Sequence, residues 1–337
     1  MIKLIHIKDL FNLYSYDIDL NPSENSRIHF ITSPNGYGKT TILSMLNALL
    51  SKEYQLLFNI PFSSFRVEFT DNREIEIVRT VVEKETSVDS DIEKDPDIEL
   101  SISLWNTANK DRLLIENHKQ VKKDFSKNSY STDLLCDSVS DNLLSYGQEA
   151  NIDMYMASKT SYYLTDSRLL KIKSDVDSEE HHLDAINLEG FAEQMTGILS
   201  NPDLYEKYKS EIELFKNLID NCDFASKELE ITKLFGFRFV AKDKLKTKLS
   251  LNELSSGEKH LIIQFFKLLF NAKFNTLVLI DEPELSLHMM WQMKYLENLN
   301  KIASLRGYQC IVATHSPQIF NSMWSLTTDL YTNSTTD

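Results

Sequence analysis

The stretch Asn275–Trp291, NTLVLIDEPELSLHMMW, decides how the rest of the chain is read. Leu277 to Ile280 is a short unbroken apolar run, which predicts a fully buried strand of a parallel sheet. The run leads straight into Asp281 and Glu282, and Pro283 stops it. Ligands of open α/β sheets bind at the carboxyl ends of strands, where these two acids fall. One carboxylate there can hold Mg²⁺ and the other can orient a water. Taken alone, the same residues also fit a core strand whose exit carries two solvated acids.

Upstream lies the context that separates the two readings. Arg27–Thr32 (RIHFIT) predicts an apolar strand, and it feeds into Ser33–Thr41, SPNGYGKTT. From Thr40 to Leu50 the apolar residues Ile42, Leu43, Met45, Leu46, Leu49 and Leu50 have helical spacing. Strand, glycine-bearing loop and helix is the setting of a phosphate-binding loop. Gly36 and Gly38 let the backbone curl so that N–H groups point at phosphate oxygens, and the helix N-terminus adds partial positive charge. Asn35, Gly36, Tyr37, Gly38, Lys39, Thr40 and Thr41 are the candidate ATP-binding residues. Lys39 would reach the β- and γ-phosphates, and the Thr40 hydroxyl would bind Mg²⁺. The usual pattern G-x-x-x-x-G-K-[ST] has glycine where this chain has Ser33.

Two further stretches join these. Leu254–Glu258, LSSGE, places small residues at the start of a long apolar helix. Ser255 with Glu258 reads as a capping box; Ser255, Ser256, Gly257 and Glu258 are also candidates to meet a γ-phosphate through free N–H groups. Tyr308–Ala313 predicts another buried strand, ended by Thr314-His315-Ser316-Pro317. His315 there could donate to a γ-phosphate oxygen or to the attacking water. Glu282 and His315 are the candidate catalytic pair, with Asp281 the metal ligand, directly or through water.

Composition narrows the class. The chain has 337 residues, 42% hydrophobic, enough for a sizeable core. A formal net charge of −14 argues against nucleic-acid binding by overall charge, and suits partners with basic surfaces. Cys136, Cys222 and Cys310 are widely spaced and form no C-x-x-C, which points to a reducing cytosol. No apolar run approaches the roughly 20 residues of a membrane span, and the N-terminus is no signal peptide. These features predict a soluble cytoplasmic protein.

Elsewhere, Ile2–Ile7 and Tyr14–Leu20 alternate as strands. Phe65–Phe69, Glu74–Val82 and Ile98–Trp105 predict an antiparallel meander, with an acidic solvated tip between the last two. Asn106–Asn142 is polar and carries no clear pattern. Ser161–Leu164 predicts a buried strand, and Lys171–His182 a loop. Leu188 to Ile219 turns helical, broken at Asn201-Pro202-Asp203, with Asn201 or Asp203 as the cap. Glu228–Val240 predicts one or two strands, and a helix runs from Trp291 to about Leu305.

Together, SPNGYGKTT as Walker A, LSSGEKH as signature motif, LVLIDEPELSLH as Walker B plus D-loop and ATHSP as switch-histidine segment resemble the ATP-binding-cassette ATPase superfamily. The wording looks like the branch with SMC, Rad50 and RecF heads, most closely its overcoming-lysogenisation-defect-like members. The resemblance covers the first 50 residues and roughly Leu249 to the end. It implies an α/β P-loop NTPase with an ABC-type head: a mixed central sheet, an antiparallel β lobe and a short helical insertion. In this reading 1–337 is one composite head, with 1–60 and 229–337 as nucleotide-binding core, 61–170 as β-rich lobe and 171–228 as helical insertion. It further implies Mg²⁺, with ATP as substrate, and two heads sandwiching two nucleotides, the signature motif of one completing the site of the other. The family's glutamine-bearing loop finds a candidate metal contact in Gln148, with Arg168 as a rival. No metal-site pattern of a Toprim nuclease follows His315, and there is no long coiled coil with a hook. The expected partners are a second copy and a separately encoded effector such as a nuclease or toxin. DNA is an open alternative, as is a nucleotide-gated scaffold that scarcely turns ATP over.

Overall fold

The computed structural model describes residues 1–20, 27–82, 97–108, 113–122, 152–157, 159–164 and 188–333. The chain opens with β1 (Ile2–Leu10) and β2 (Tyr14–Asp19), joined by a turn in which Phe11 and Asn12 take positive φ. β3 (Ile28–Thr32) delivers the glycine-bearing loop to α1 (Lys39–Ser51). β4 (Ser64–Phe69), β5 (Arg73–Val82), β6 (Asp97–Asn106), β7 (Leu113–Lys122), α2 (Ile152–Ala157) and β8 (Ser161–Leu164) follow. Next come α3 (Leu188–Ser200), α4 (Pro202–Asn221), β9 (Lys227–Thr232), β10 (Gly236–Ala241), β11 (Lys248–Leu249) and α5 (Ser256–Phe266). The chain closes through β12 (Leu277–Asp281), α6 (Met289–Arg306), β13 (Gln309–Thr314), β14 (Thr327–Asp329) and α7 (Leu330–Asn333). It divides into two compact units: Met1–Asn25, Ile31–Ser161 and Thr327–Asp337 form the first, Ser26–Phe30 and Tyr162–Leu326 the second.

The first unit is built on a six-stranded sheet, β2-β1-β4-β5-β6-β7, antiparallel at every joint. Alternation explains its faces. Phe65, Val67 and Phe69 on β4, Ile75 and Ile77 on β5, and Ile98, Leu100, Ile102 and Leu104 on β6 are buried. Most side chains between them lie nearer solvent, as a period of two requires; Ser103 of β6 is buried. The meander read from the sequence is therefore present. β7 was not read, and its sequence, LLIENHKQVK, shows why: it is the edge strand and has little apolar face to declare itself.

The second unit carries the parallel core. β12 and β13 pair in parallel from Leu277↔Gln309 to Asp281↔Ala313. Val278 and Ile280 on β12, with Cys310 and Val312 on β13, join a core shared with α3, α4, α5 and α6. Leu279 and Ile311, on the opposite face, are just as buried. Burial on both faces is why the run is continuous rather than alternating. Each such side chain stabilises the fold by about 1.5–3 kcal/mol relative to exposure. β3 lies beside β13, β8 beside β12 and β14 beside β3. β8 is half-buried, not buried as its apolar sequence predicts, because it is the edge of this sheet.

The two helices between 188 and 221 are those expected. Asn201 is the cap: its side chain accepts from the backbone N–H of Asp203 (3.0 Å) and Leu204 (3.2 Å), with Pro202 at the first helical position. α5 does not run on as one regular helix. It passes into a single π-helical turn, Lys267–Asn271. At the end of α6, the guanidinium of Arg306 is buried against Glu211 of α4 at 2.9 Å and also meets Tyr308 and the Ala272 carbonyl. The acidic tip 83–96, Gln148, Arg168 and the loop over 171–182 lie outside the described residues.

Candidate functional site

In the first unit the loop after β3 closes tightly. Gly36 and Gly38 both take left-handed φ, 90° and 86°. A Cβ at Gly38 would meet Leu10 Cδ2 at 2.8 Å and Phe11 Cε2 at 3.2 Å, so the β1–β2 turn presses on the loop from outside. Tyr16 of β2 adds a brace, its hydroxyl donating to the Tyr37 carbonyl at 2.9 Å. Position 33 is not left-handed, which is why serine is accommodated there.

Lys39 is buried within this loop. Its ammonium donates to the Ser33 carbonyl (2.9 Å), the Ser33 hydroxyl (3.3 Å) and the Pro34 carbonyl (3.3 Å). Gly38 is the N-cap of α1, no side chain caps the helix, and no acid stands in its first turn. The first turn of α1 thus carries no acid of its own to offset the positive end of the helix dipole. Asn35, Gly36 and Thr40 are exposed; Tyr37 and Thr41 are half-buried.

In the second unit Asp281 and Glu282 stand at the carboxyl end of β12, and His315 directly after β13. The structure joins the candidate pair: His315 Nε2 lies 3.0 Å from Glu282 Oε1, with both side chains about one-third exposed. Glu282 reaches this place with φ 47°, a conformation uncommon for a residue with a Cβ, and its N–H donates to the Ala313 carbonyl at 2.8 Å. Strained backbone of this kind concentrates at functional sites.

The LSSGE segment realises its capping box. Glu258 N–H donates to Ser255 Oγ (3.3 Å), and Glu258 Oε2 accepts from Ser255 N–H (2.7 Å). Both Glu258 oxygens also accept from Lys227 at 2.8 Å, which neutralises a carboxylate that is almost wholly buried. Gly257 has a packing role that its sequence does not announce. A Cβ there would sit 2.4 Å from the Ser286 carbonyl and 3.0 Å from the Trp291 ring, so the start of α5 lies directly on the segment after Glu282.

Four residues enter that the sequence reading left out. Lys227 carries no signal, being one lysine among many. Glu284, Gln292 and Ser316 stood inside or beside the quoted motifs: Glu284 accepts from the His315 N–H at 2.7 Å, and Gln292 accepts from Ser316 Oγ at 2.6 Å. Mg²⁺ is bound by hard oxygens, and the Thr40 hydroxyl of the first unit and the Asp281 carboxylate of the second are each of that kind. Among the described residues no cluster of three or more His, Cys, Asp or Glu could hold a metal. Mg²⁺ usually takes one or two carboxylates and keeps water and phosphate for the rest.

The fold is that of a mixed α/β P-loop ATPase domain, with a parallel strand pair in its core and an antiparallel β lobe. The chain belongs to the AAA_21 family, described as "AAA domain, putative AbiEii toxin, Type IV TA system", whose model matches residues 28–321. No curated protein matches the chain. Similar solved structures include an Smc head bound to the C-winged helix domain of ScpA, at 15% identity, covering 94% of this chain and 90% of that one, TM-score 0.45. Another is the SMC head domain from Thermotoga maritima, at 13% identity, 95% and 91% coverage and TM-score 0.42. A third is an Smc head domain with an extended coiled coil bound to the C-terminal domain of ScpA, derived from Pyrococcus furiosus, at 14% identity, 95% and 90% coverage and TM-score 0.40. All three scores are low, so membership of the family rests on the sequence match. Among the described residues no helix is long and apolar enough to cross a membrane.

Proposed function

We propose that this chain binds and hydrolyses ATP, dimerises around two ATP molecules and controls a separately encoded effector. The observation that carries the reading is the pairing of Glu282 with His315 across the ends of two parallel strands, in a chain that also holds Lys39 in a glycine-braced loop. The Ser33–Thr41 loop receives the phosphates through its backbone N–H groups, Lys39 and the N-terminus of α1. Thr40 and Asp281 would hold Mg²⁺, which would supply positive charge to offset that developing on the phosphates. Glu282 orients and polarises the attacking water. His315 donates to a γ-phosphate oxygen or to that water. Ser255, Ser256, Gly257 and Glu258 serve the nucleotide of a second copy, and 1–337 acts as one head.

The defence setting is drawn from the family's description, which refers to a toxin and to Type IV toxin–antitoxin systems. We place the chain beside the overcoming-lysogenisation-defect-like heads and assign it to the cytosol. Its acidity suits an effector with a basic surface. The test is ATP turnover by the purified protein with Mg²⁺, with sizing of the protein in ATP, and co-purification with neighbouring gene products. Turnover above background with an ATP-dependent dimer supports the reading. ATP binding without turnover would support the nucleotide-gated scaffold instead, and salt-sensitive DNA binding a DNA-repair head.

A further inference from the structure

Glu284 stands two residues past Glu282, and its carboxylate does not face solvent freely. Oε1 accepts from the backbone N–H of His315 at 2.7 Å, and Oε2 is buried. β13 ends at Thr314, so at His315 the sheet ladder no longer fixes the chain. Beyond the ladder the Glu284 carboxylate holds the chain, its Oε1 accepting the backbone N–H of His315. The ring of the same histidine is held by Glu282 at 3.0 Å. Two carboxylates from one short segment therefore grip His315, one by its backbone and one by its imidazole.

A second tether runs in parallel. The Gln292 amide donates to the Leu287 carbonyl at 3.0 Å, while its oxygen accepts from Ser316 Oγ at 2.6 Å. Ser316 is the next residue after His315. The far side of the segment is in contact as well, because Gly257 lies so close to Ser286 that no side chain fits between them. Residues 284–292 thus touch the start of α5 on one side and hold the His315 turn on the other.

We infer that Glu284 is a positioning residue for His315: it sets where the imidazole stands, and a shift of the 284–292 segment moves that imidazole. This rests on the ATPase reading above and adds a route by which the Gly257 end of α5 acts on the reaction. Only the acceptor oxygen is needed, not the charge. Glu284→Gln keeps a carbonyl oxygen in place, and Glu284→Ala removes it.

The experiment uses the full chain in three forms: wild type, Glu284→Gln and Glu284→Ala. Steady-state ATP turnover is read beside histidine-selective NMR, with the His315 signal identified among the eight histidines by its loss in His315→Ala. In Glu284→Ala, kcat falls at least tenfold, towards the roughly 100-fold that a misplacement of about 1 Å can cost, with ATP affinity unchanged. The His315 signal moves or broadens. Glu284→Gln restores both. The inference is overturned if Glu284→Ala leaves the His315 signal at its wild-type position, or if Glu284→Gln disturbs it as much as alanine does. Should the wild type itself fail to turn over ATP, the ATPase reading falls, and the NMR signal alone decides the positioning role.

Discussion

His315 Nε2 lies 3.0 Å from Glu282 Oε1, although the two residues are far apart in sequence and follow different strands. The parallel register of β12 and β13 brings them together, with Asp281 opposite Ala313. The positive φ of Glu282 then turns its side chain out of the ladder. From this pair and its surroundings the account can be tested at separate points.

Lys39 is the first. Its ammonium already makes three hydrogen bonds within the loop, and a phosphate is expected to take over some of them. A hydrogen bond to a charged group is worth about 1.5–3 kcal/mol. Lys39→Ala should therefore weaken ATP binding by about 10- to 100-fold. Titration calorimetry on the folded variant measures this. Unchanged affinity would contradict the role given to the loop.

Ser33 gives the opposite expectation. Its backbone does not need glycine, and its hydroxyl hydrogen-bonds to Pro34 and Lys39 at 3.0 and 3.3 Å. Ser33→Gly restores the common loop pattern yet should leave ATP affinity near wild type. Thermal unfolding should show a loss of up to about 1 kcal/mol from added chain entropy. A large gain in affinity would show that serine impairs the loop.

Much of this is legible in the sequence. SPNGYGKTT and LVLIDEPE declare themselves locally, because strand, loop and helix each leave a period or a glycine in the sequence. The edges were not legible. β7 turns polar after Leu113–Ile115, and β8 looks buried by composition but is the edge of its sheet. Contacts between distant residues were invisible too. Nothing in SLRGY says that Arg306 will meet Glu211, and nothing in DEPE says that Glu284 will reach the backbone of His315. The motif LSSGE points to free N–H groups at Gly257, whereas the immediate need for glycine there is the 2.4 Å approach to the Ser286 carbonyl.

Gly257→Ala tests that approach. The added methyl must displace a backbone carbonyl and the Trp291 ring, an overpacking that costs about 1–3 kcal/mol. Denaturant unfolding should show the loss in the absence of nucleotide. Equal stability would mean that the α5 start shifts freely, which the packing denies.

The buried pair Arg306–Glu211 should behave asymmetrically. Glu211→Leu or Arg306→Met alone strands one charge in the core and should cost about 3–5 kcal/mol. The double change should cost clearly less than the sum of the two, because no charge is left without its partner. Urea unfolding of the three variants closes the cycle, and simple additivity would contradict the pairing.

The central claim is that Glu282 polarises a water for attack on ATP, with His315 as its partner. The most direct measurement compares Mg²⁺-dependent ATP turnover of wild type and Glu282→Gln, with the oligomeric state of each in ATP. The account predicts measurable wild-type turnover, at least about 100-fold lower turnover in Glu282→Gln (the loss of roughly 2.7 kcal/mol of transition-state stabilisation) and an ATP-stabilised dimer in both. Equal turnover in the two proteins, or none in the wild type, would contradict it.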